Sequence, residues 1–592
     1  MPGRGDRGGK KEKPKDAKGT LLRILTYLRK YSLWVFLLLL LTIASNVGNL
    51  LGPSYAGKAI TAASAGKGLV DMKKVLHYAG LMLAAYVGSN LLNIAATVGM
   101  MRVGKKVAAN MRQDVFEKLM RLPVGYFDRH QAGDIISRVS YDIDVVSTSL
   151  ASDVVQILTG LVTVIGSFVM MCVISLPLVA CMLFTIPASL IFTAKMSRLT
   201  RPRYSKRSAS YGAMNDFVEE MFTGQKTILS YANEDRVCER FRAVNGDAAE
   251  AYMHADGLGM IIGPTIGFIS NLGLASIGLG GSLLFLAGSV SLGQISSFIL
   301  YSRKFSGPIN EIANIANEIL SALAAAERVF ALLDEPEEVS DRPEAGELKR
   351  AEGEVELKKV SFGYLPGKTI LHGLNLRAGK GQTIAIVGPT GAGKTTIINL
   401  LMRFYEAGSG EILVDGREVH SYTLSSLRKN YAMVLQDTWV FHGSIFENIA
   451  YGKENATLPE VVRAAKAARI HNDIMKLPEG YNTVISDDAG NISKGQLQLL
   501  TIARAMLFDT RMLILDEATS NVDTATEREV QKAMRELMKG RTCFVIAHRL
   551  STIQNADRIL VLEQGDVREQ GTHEELMERK GTYYRLYMSQ YE

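Results

Sequence analysis

Residues 383–396 read TIAIVGPTGAGKTT. The first five are a short apolar run with β-branched side chains, the pattern of a buried strand. Gly388, Pro389, Thr390, Gly391, Ala392 and Gly393 then make a glycine-rich turn, and Lys394, Thr395 and Thr396 open an apolar helix through Ile397, Ile398, Leu400 and Leu401. Glycines let backbone N–H groups close round phosphate at a helix N-terminus, where the dipole also favours negative charge. In that setting Lys394 neutralises the β/γ oxygens and the Thr395 hydroxyl can ligate Mg²⁺. The loop motif alone occurs by chance; a strand before it and a helix after it give it meaning.

Two more apolar runs follow downstream. Met512-Leu513-Ile514-Leu515 delivers Asp516 and Glu517, and Thr542-Cys543-Phe544-Val545-Ile546 delivers Ala547-His548-Arg549. Between them and the loop lies Ile492-Ser493-Lys494-Gly495-Gln496. A carboxylate at a strand end beside a phosphate loop is placed to help hold the metal.

Taken in order, GPTGAGKT, ISKGQ, ILDEAT and AHR resemble the nucleotide-binding domain of an ATP-binding cassette (ABC) transporter. The resemblance implies roles for the residues that match. Asp516, with Thr395 and Gln436 (in VLQDTWVF), would hold Mg²⁺; Glu517 would polarise the attacking water; His548 would contact the γ-phosphate. Tyr364, in VSFGYLPG, would stack on adenine, although a lone aromatic is equally at home in a core. Ala518 to Asp523 matches the D-loop, with Asp523 as its acid and Asn521-Val522 where the family has other residues.

One position departs from the pattern. The family signature reads LSGGQ, and here Ser493, Lys494, Gly495 and Gln496 put a lysine at the first glycine; Asp487 to Asn491 just before it are also unusual. In the family, the signature of one subunit completes the nucleotide site of the other. Glycine permits that approach because it lacks a Cβ. An intact Glu517 beside an altered signature resembles one half of the heterodimeric exporters, which pair a hydrolytic site with a degenerate one. A homodimer that tolerates the lysine is the alternative.

Upstream the composition changes. A chain of 592 residues is too long for one core. No charge occurs over 31–57, 75–101, 154–194 or 257–302. A spanning helix takes roughly 20 apolar residues, so the first two stretches hold one span each and the longer two hold a pair each. The expected fold is therefore multidomain: an all-α transmembrane domain of six helices (19–333), then a P-loop α/β cassette domain (353–592). The spans fall at about 32–56, 75–101, 154–175, 177–196, 257–287 and 290–320, with reversals at Leu176-Pro177 and Ala287-Gly288-Ser289. A basic tail (1–18) precedes them and an acidic linker (334–352) follows. Residues 21–28 have the spacing of an amphipathic helix lying on a membrane surface. Cys172, Cys181, Cys238 and Cys543 show no metal or disulfide spacing.

Both long charged segments, 102–153 and 195–256, fall on one side of the membrane, taken as cytoplasmic because the ATPase needs cytosolic ATP. Within them, 122–142 and 211–235 resemble the cytoplasmic loops whose coupling helices, in the family, dock on the ATPase domains, with Gly133 permitting a turn and Asp134 capping the next helix. No Asp, Glu, Lys or Arg is expected at membrane depth, which disfavours an ion-coupled carrier. Asn46, Asn49, Asn90, Asn93, Gln156, Asn271, Gln294 and Tyr301 remain, as cavity lining or as interhelical glue.

The reading is thus an ATP- and Mg²⁺-dependent exporter of lipophilic or amphipathic compounds in the cytoplasmic (inner) membrane. It is multi-pass, with both termini cytoplasmic, and paired with a second, non-identical half-transporter. Membrane lipid is a partner and nucleic acid is not; the net charge of +7 adds nothing toward it. A homodimeric lipid flippase and an importer on the same fold stay open.

Overall fold

The computed structural model describes residues 14–64, 70–182, 185–436, 438–485, 492–516, 524–546 and 553–589. It divides into two compact units, one of residues 1–121 and 130–336, the other of 122–129 and 337–592.

The first unit is helical throughout. Ser32–Ala63, Met72–Leu119, Thr185–Thr223, Glu234–Leu286 and Leu292–Leu333 are long helices, and Ala132–Ile174 runs as one rod interrupted by π-turns at Arg138–Asp142 and Ser149–Asp153. At about 1.5 Å per residue the 48 residues of Met72–Leu119 extend roughly 72 Å, more than twice a bilayer core of about 30 Å. Among the described residues, four helices are long and apolar enough to cross a membrane: Ser32–Ala63, Met72–Leu119, Ala132–Ile174 and Glu234–Leu286. The stretch expected as the fourth span, 177–196, includes residues outside the described set. The expected sixth, in Leu292–Leu333, carries Arg303 and Lys304 and so is not marked by composition alone.

The reversals have local causes. Ser175 adopts an extended conformation (φ −167°, ψ 111°) after Ile174, and Leu176-Pro177 open the next helix. Gly288 takes φ +72°, which glycine alone adopts without strain, and Ser291 and Gln294 then form a capping box for Leu292–Leu333. Two expectations fail nearby. Gly133 and Asp134 lie inside the first turn of Ala132–Ser137, whose N-cap is Gln131, so neither makes the turn or the cap. Asp134 still favours that turn through the helix dipole.

Ser32–Ala63 packs on Met72–Leu119 and on Leu292–Leu333. The second crossing is a glycine seam. A Cβ on Gly293 would lie 1.9 Å from the Gly57 carbonyl oxygen, and one on Gly57 would lie 2.5 Å from that of Gly293. Small residues let membrane helices approach this closely. Tyr301 donates to the Leu50 carbonyl at 2.6 Å and Ser297 to that of Pro53 at 2.8 Å, locking the seam. Gly293→Ala must push two backbones apart. We expect about 1–3 kcal/mol of destabilisation, seen as a lower unfolding temperature of the purified protein; an unchanged temperature would contradict the seam.

The amphipathic segment forms the helix Ala17–Arg29, N-capped by Asp16. Ile24 and Thr20 are buried, while Leu21, Leu22 and Leu25 stay exposed. Arg23 pairs with Asp334 and sits 4.3 Å over the Phe330 ring. Cys172, Cys238 and Cys543 are free thiols.

The second unit holds a six-stranded sheet in the order Asp566–Gly571, Arg558–Glu563, Thr383–Val387, Thr542–Ile546, Met512–Asp516, Tyr431–Val434. Only its first pair is antiparallel. Successive side chains alternate between two cores, as a period of two requires. Ala385, Val387, Leu513, Leu515 and Val545 enter one, and Ile384, Ile386, Ile514, Phe544 and Ile546 the other. The second core is closed by an antiparallel sheet of Leu371–Ala378, Val355–Phe362, Ser409–Val414 and Arg417–Glu418.

Candidate functional site

The parallel register brings the chemistry to one edge. Ile386 is paired with Ile546, and Ile546 with Asp516, so three strands end level. At that edge the chain enters the glycine-rich loop after Val387, presents Asp516, and leaves Ile546. Glu517, Asp523 and His548 themselves lie outside the described residues, as do Asp487 to Asn491.

Gly391 (φ +83°) and Gly393 (φ +100°) adopt left-handed backbone, and Gly393 caps the helix Lys394–Leu401. A Cβ on Gly388 would lie 2.2 Å from the Leu562 carbonyl oxygen, so that glycine is required by space. The loop folds round its own lysine: Lys394 Nζ donates to the carbonyls of Gly388 (2.7 Å) and Pro389 (3.0 Å). Burial holds the Lys394 ammonium below its usual range, and the Asp516 charge opposes that shift. Pro389, Thr390, Gly391 and Thr395 are exposed round it, whereas Ala392 and Thr396 are buried.

Two oxygen donors fit a magnesium ion here, the exposed Thr395 hydroxyl and the Asp516 carboxylate at the end of the next strand but one. Gln436 follows the strand Tyr431–Val434, which pairs with Met512–Asp516, and is exposed. Tyr364 is anchored to the loop helix: its hydroxyl donates to Thr396 Oγ1 (3.3 Å) and accepts from Asn399 Nδ2 (3.0 Å). Its ring meets Phe362 and Tyr405 edge-on, at centroid distances of 4.9 and 4.8 Å, and is 39% exposed. It is neither a free aromatic nor a buried one.

The signature segment starts a helix, Lys494–Leu507. Ser493 and Gln496 form a capping box, Gln496 N–H to Ser493 Oγ at 3.2 Å and Ser493 N–H to Gln496 Oε1 at 2.9 Å. Gly495 is buried and Lys494 is exposed at the first helical position. A cation there opposes the helix dipole, so the lysine brings no local stability.

Sequence reasoning expected the 122–142 loop to dock on the cassette but did not name the residue that it meets. The short helix Val124–Arg129 clusters with this unit rather than with the long helices. Tyr405 donates to Asp128 at 2.5 Å, Tyr126 is 1% exposed, and a Cβ on Gly125 would already be 3.0 Å from the Tyr405 ring. Tyr405 thus touches both Tyr364 and the segment inserted from the first unit's sequence. No spacing rule links residues 277 positions apart.

Polar groups of the membrane unit bond both back along their own helix and across to another. Asn46 donates to the Thr42 carbonyl (2.7 Å) and to Thr159 (3.2 Å), and Asn90 to the Tyr86 carbonyl (2.8 Å). Leu292–Leu333 carries Arg303 and Lys304, the latter twelve residues after Leu292 and about 18 Å along its axis. The uncharged run that ends at Ser302 therefore stops inside this helix.

Residues 35–309 match the ABC transporter transmembrane region, and 371–520 match ABC transporter. The chain is 44% identical over 517 residues to the fatty acid ABC transporter ATP-binding/permease protein of Mycobacterium bovis, covering 87% of this chain and 82% of that relative. It is 34% identical over 580 residues to the ATP-dependent lipid A-core flippase of Methylobacillus flagellatus, covering 97% of each. Among solved structures, a bacterial Atm1-family ABC exporter with ATP bound superposes with a TM-score of 0.74 at 28% identity, covering 95% of this chain and 98% of that one.

Proposed function

Because the chain belongs to the ABC transporter family, with the helical membrane domain and cassette of an exporter half, we propose that it drives lipid-like amphipathic molecules outward across the cytoplasmic membrane. The cassette makes it an ATPase coupled to transport. In this reading Tyr364 holds adenine, the 388–396 loop with Lys394 holds the phosphates, and Glu517 and His548 act on the γ-phosphate. Magnesium, held by Thr395, Asp516 and Gln436, would neutralise the β/γ oxygens. ATP binds the closed dimer better than the open one and so shifts the population toward closure. The short helix Val124–Arg129, held at Tyr405, carries that closure toward the membrane helices. Both termini face the cytoplasm. The substrate class is supported by the relatives' names, a fatty acid transporter and a lipid A-core flippase.

The partner is an unlike half. The observation that carries this is Lys494, exposed at the first of the two signature positions where the family has glycine. The hydrolytic site then uses this chain's Lys394, Glu517 and His548 with the partner's signature; the degenerate site uses Ser493, Lys494, Gly495 and Gln496 of this chain. Inverted vesicles containing both halves should move a fluorescent fatty acid or lysolipid into the lumen only with ATP and Mg²⁺. Movement in the opposite direction would make the protein an importer.

Lys494→Gly tests the degenerate site separately. With a partner that lacks the base there, turnover should change by less than about twofold. A several-fold gain in steady-state ATPase would show that the lysine itself limits hydrolysis.

A further inference from the structure

We propose that Lys304 and Asn49 form a headgroup post inside the membrane domain, which takes the acidic end of an anionic amphiphile, a carboxylate or a singly charged phosphate. It rests on the amphiphile reading above and names the charge of the substrate.

The post is built by a proline. Pro53 lies within Ser32–Ala63 and has no N–H, so the Asn49 carbonyl four residues earlier loses its helical donor. Lys304 reaches that oxygen at 3.3 Å and the Asn49 side-chain Oδ1 at 2.7 Å. Its ammonium also lies 5.8 Å from the centre of the Tyr86 ring, which packs over Gly52. Three helices thus converge on one cation.

Depth follows from the helix ends. Lys304 lies twelve residues from Leu292, Asn49 fourteen from Ala63 and Tyr86 fourteen from Met72, so each sits roughly 18–21 Å in at about 1.5 Å per residue. These three ends are on the same side, and a hydrocarbon core of about 30 Å puts the group near its middle. Ionisable groups at that depth are costly and mark pathways or ligand sites.

Charge is what remains unsatisfied. Two arginines of this unit meet carboxylates, Arg328 with Asp142 and Arg207 with Asp256. Among the described residues, no acidic side chain pairs with Lys304; its partners are an amide oxygen, a carbonyl and a ring face. An ammonium has three donors, two of which Asn49 uses, and the side chain is only partly buried. The third donor and the whole positive charge are open to a ligand. One cation balances one negative charge, so a headgroup with several phosphates would leave charge unpaired at depth. A purely structural Lys304 would matter to stability but would not distinguish an acid from an alcohol.

The test uses the full transporter with its partner, in nanodiscs of phosphatidylcholine, with oleate, oleyl alcohol and phosphatidylglycerol as probes. The readout is the concentration giving half-maximal change in ATPase rate. For the unaltered protein, an acidic probe should act at a concentration at least about tenfold below its neutral counterpart, as a charge-assisted hydrogen bond allows. Lys304→Met should erase that preference and Lys304→Arg should keep most of it. Asn49→Asp, which supplies a carboxylate internally at nearly unchanged volume, should erase it too and carries the test if Lys304→Met does not assemble. A Lys304-dependent preference for oleate identifies a carboxylate; one for phosphatidylglycerol alone identifies a phosphate. Preference surviving in Lys304→Met or Asn49→Asp overturns the post, as does equal response to acid and alcohol. Silence toward all three probes would overturn the amphiphile reading itself.

Discussion

Lys394→Met is expected to lower ATP turnover at least about 100-fold and to weaken nucleotide binding as well, because the residue serves both ground and transition states. Its ammonium donates to two carbonyls of its own loop, Gly388 and Pro389, and burial depresses its basicity. The loop thus holds its lysine on neutral acceptors, which phosphate would replace with charged ones. Charge-assisted hydrogen bonds are worth about 1.5–3 kcal/mol each, so losing the donor costs affinity and rate together. Lys394→Arg should not rescue, because a planar fork cannot enter a turn closed by the backbone of Gly388 and Gly393. Steady-state ATPase and equilibrium binding of a fluorescent nucleotide measure both. Unchanged binding with lost turnover would mean that Lys394 acts only on the transition state.

Glu517→Gln should behave differently. It follows Asp516 at the strand end that is level with the phosphate loop. Removing a general base typically costs about 10²–10⁴ in rate, so turnover should fall by about 10³ while ATP affinity is kept. The protein should then accumulate with nucleotide bound and its cassettes closed. In an asymmetric pair this single change stops nearly all hydrolysis, since the other composite site contributes little. Retention of half the activity would instead indicate two equivalent sites.

The cassette's catalytic edge was legible because parallel strands write themselves as apolar runs. Thr383–Val387 and Thr542–Ile546 are strands over the residues whose composition marks them, and each delivers its motif to the same edge. The antiparallel sheet around Val355–Phe362 was not foreseen, since its strands are half-polar and bulged. Docking of the 122–142 loop on the cassette was expected from the family resemblance, but its contact with Tyr405 was not, nor was the bond from Lys304 to Asn49. Each of these is a long-range fact. Asn49 could be named as a polar membrane residue, but its partner required the proline, the helix crossing and the register together.

The most direct measurement is the ATPase rate and subunit composition of this chain purified alone, against the same chain co-expressed with an unlike half carrying an intact LSGGQ. The account predicts little turnover alone and full turnover in a one-to-one heteromer, sensitive to Glu517→Gln in this chain only. A stable symmetric dimer of this chain hydrolysing ATP at the rate of the mixed complex would contradict it.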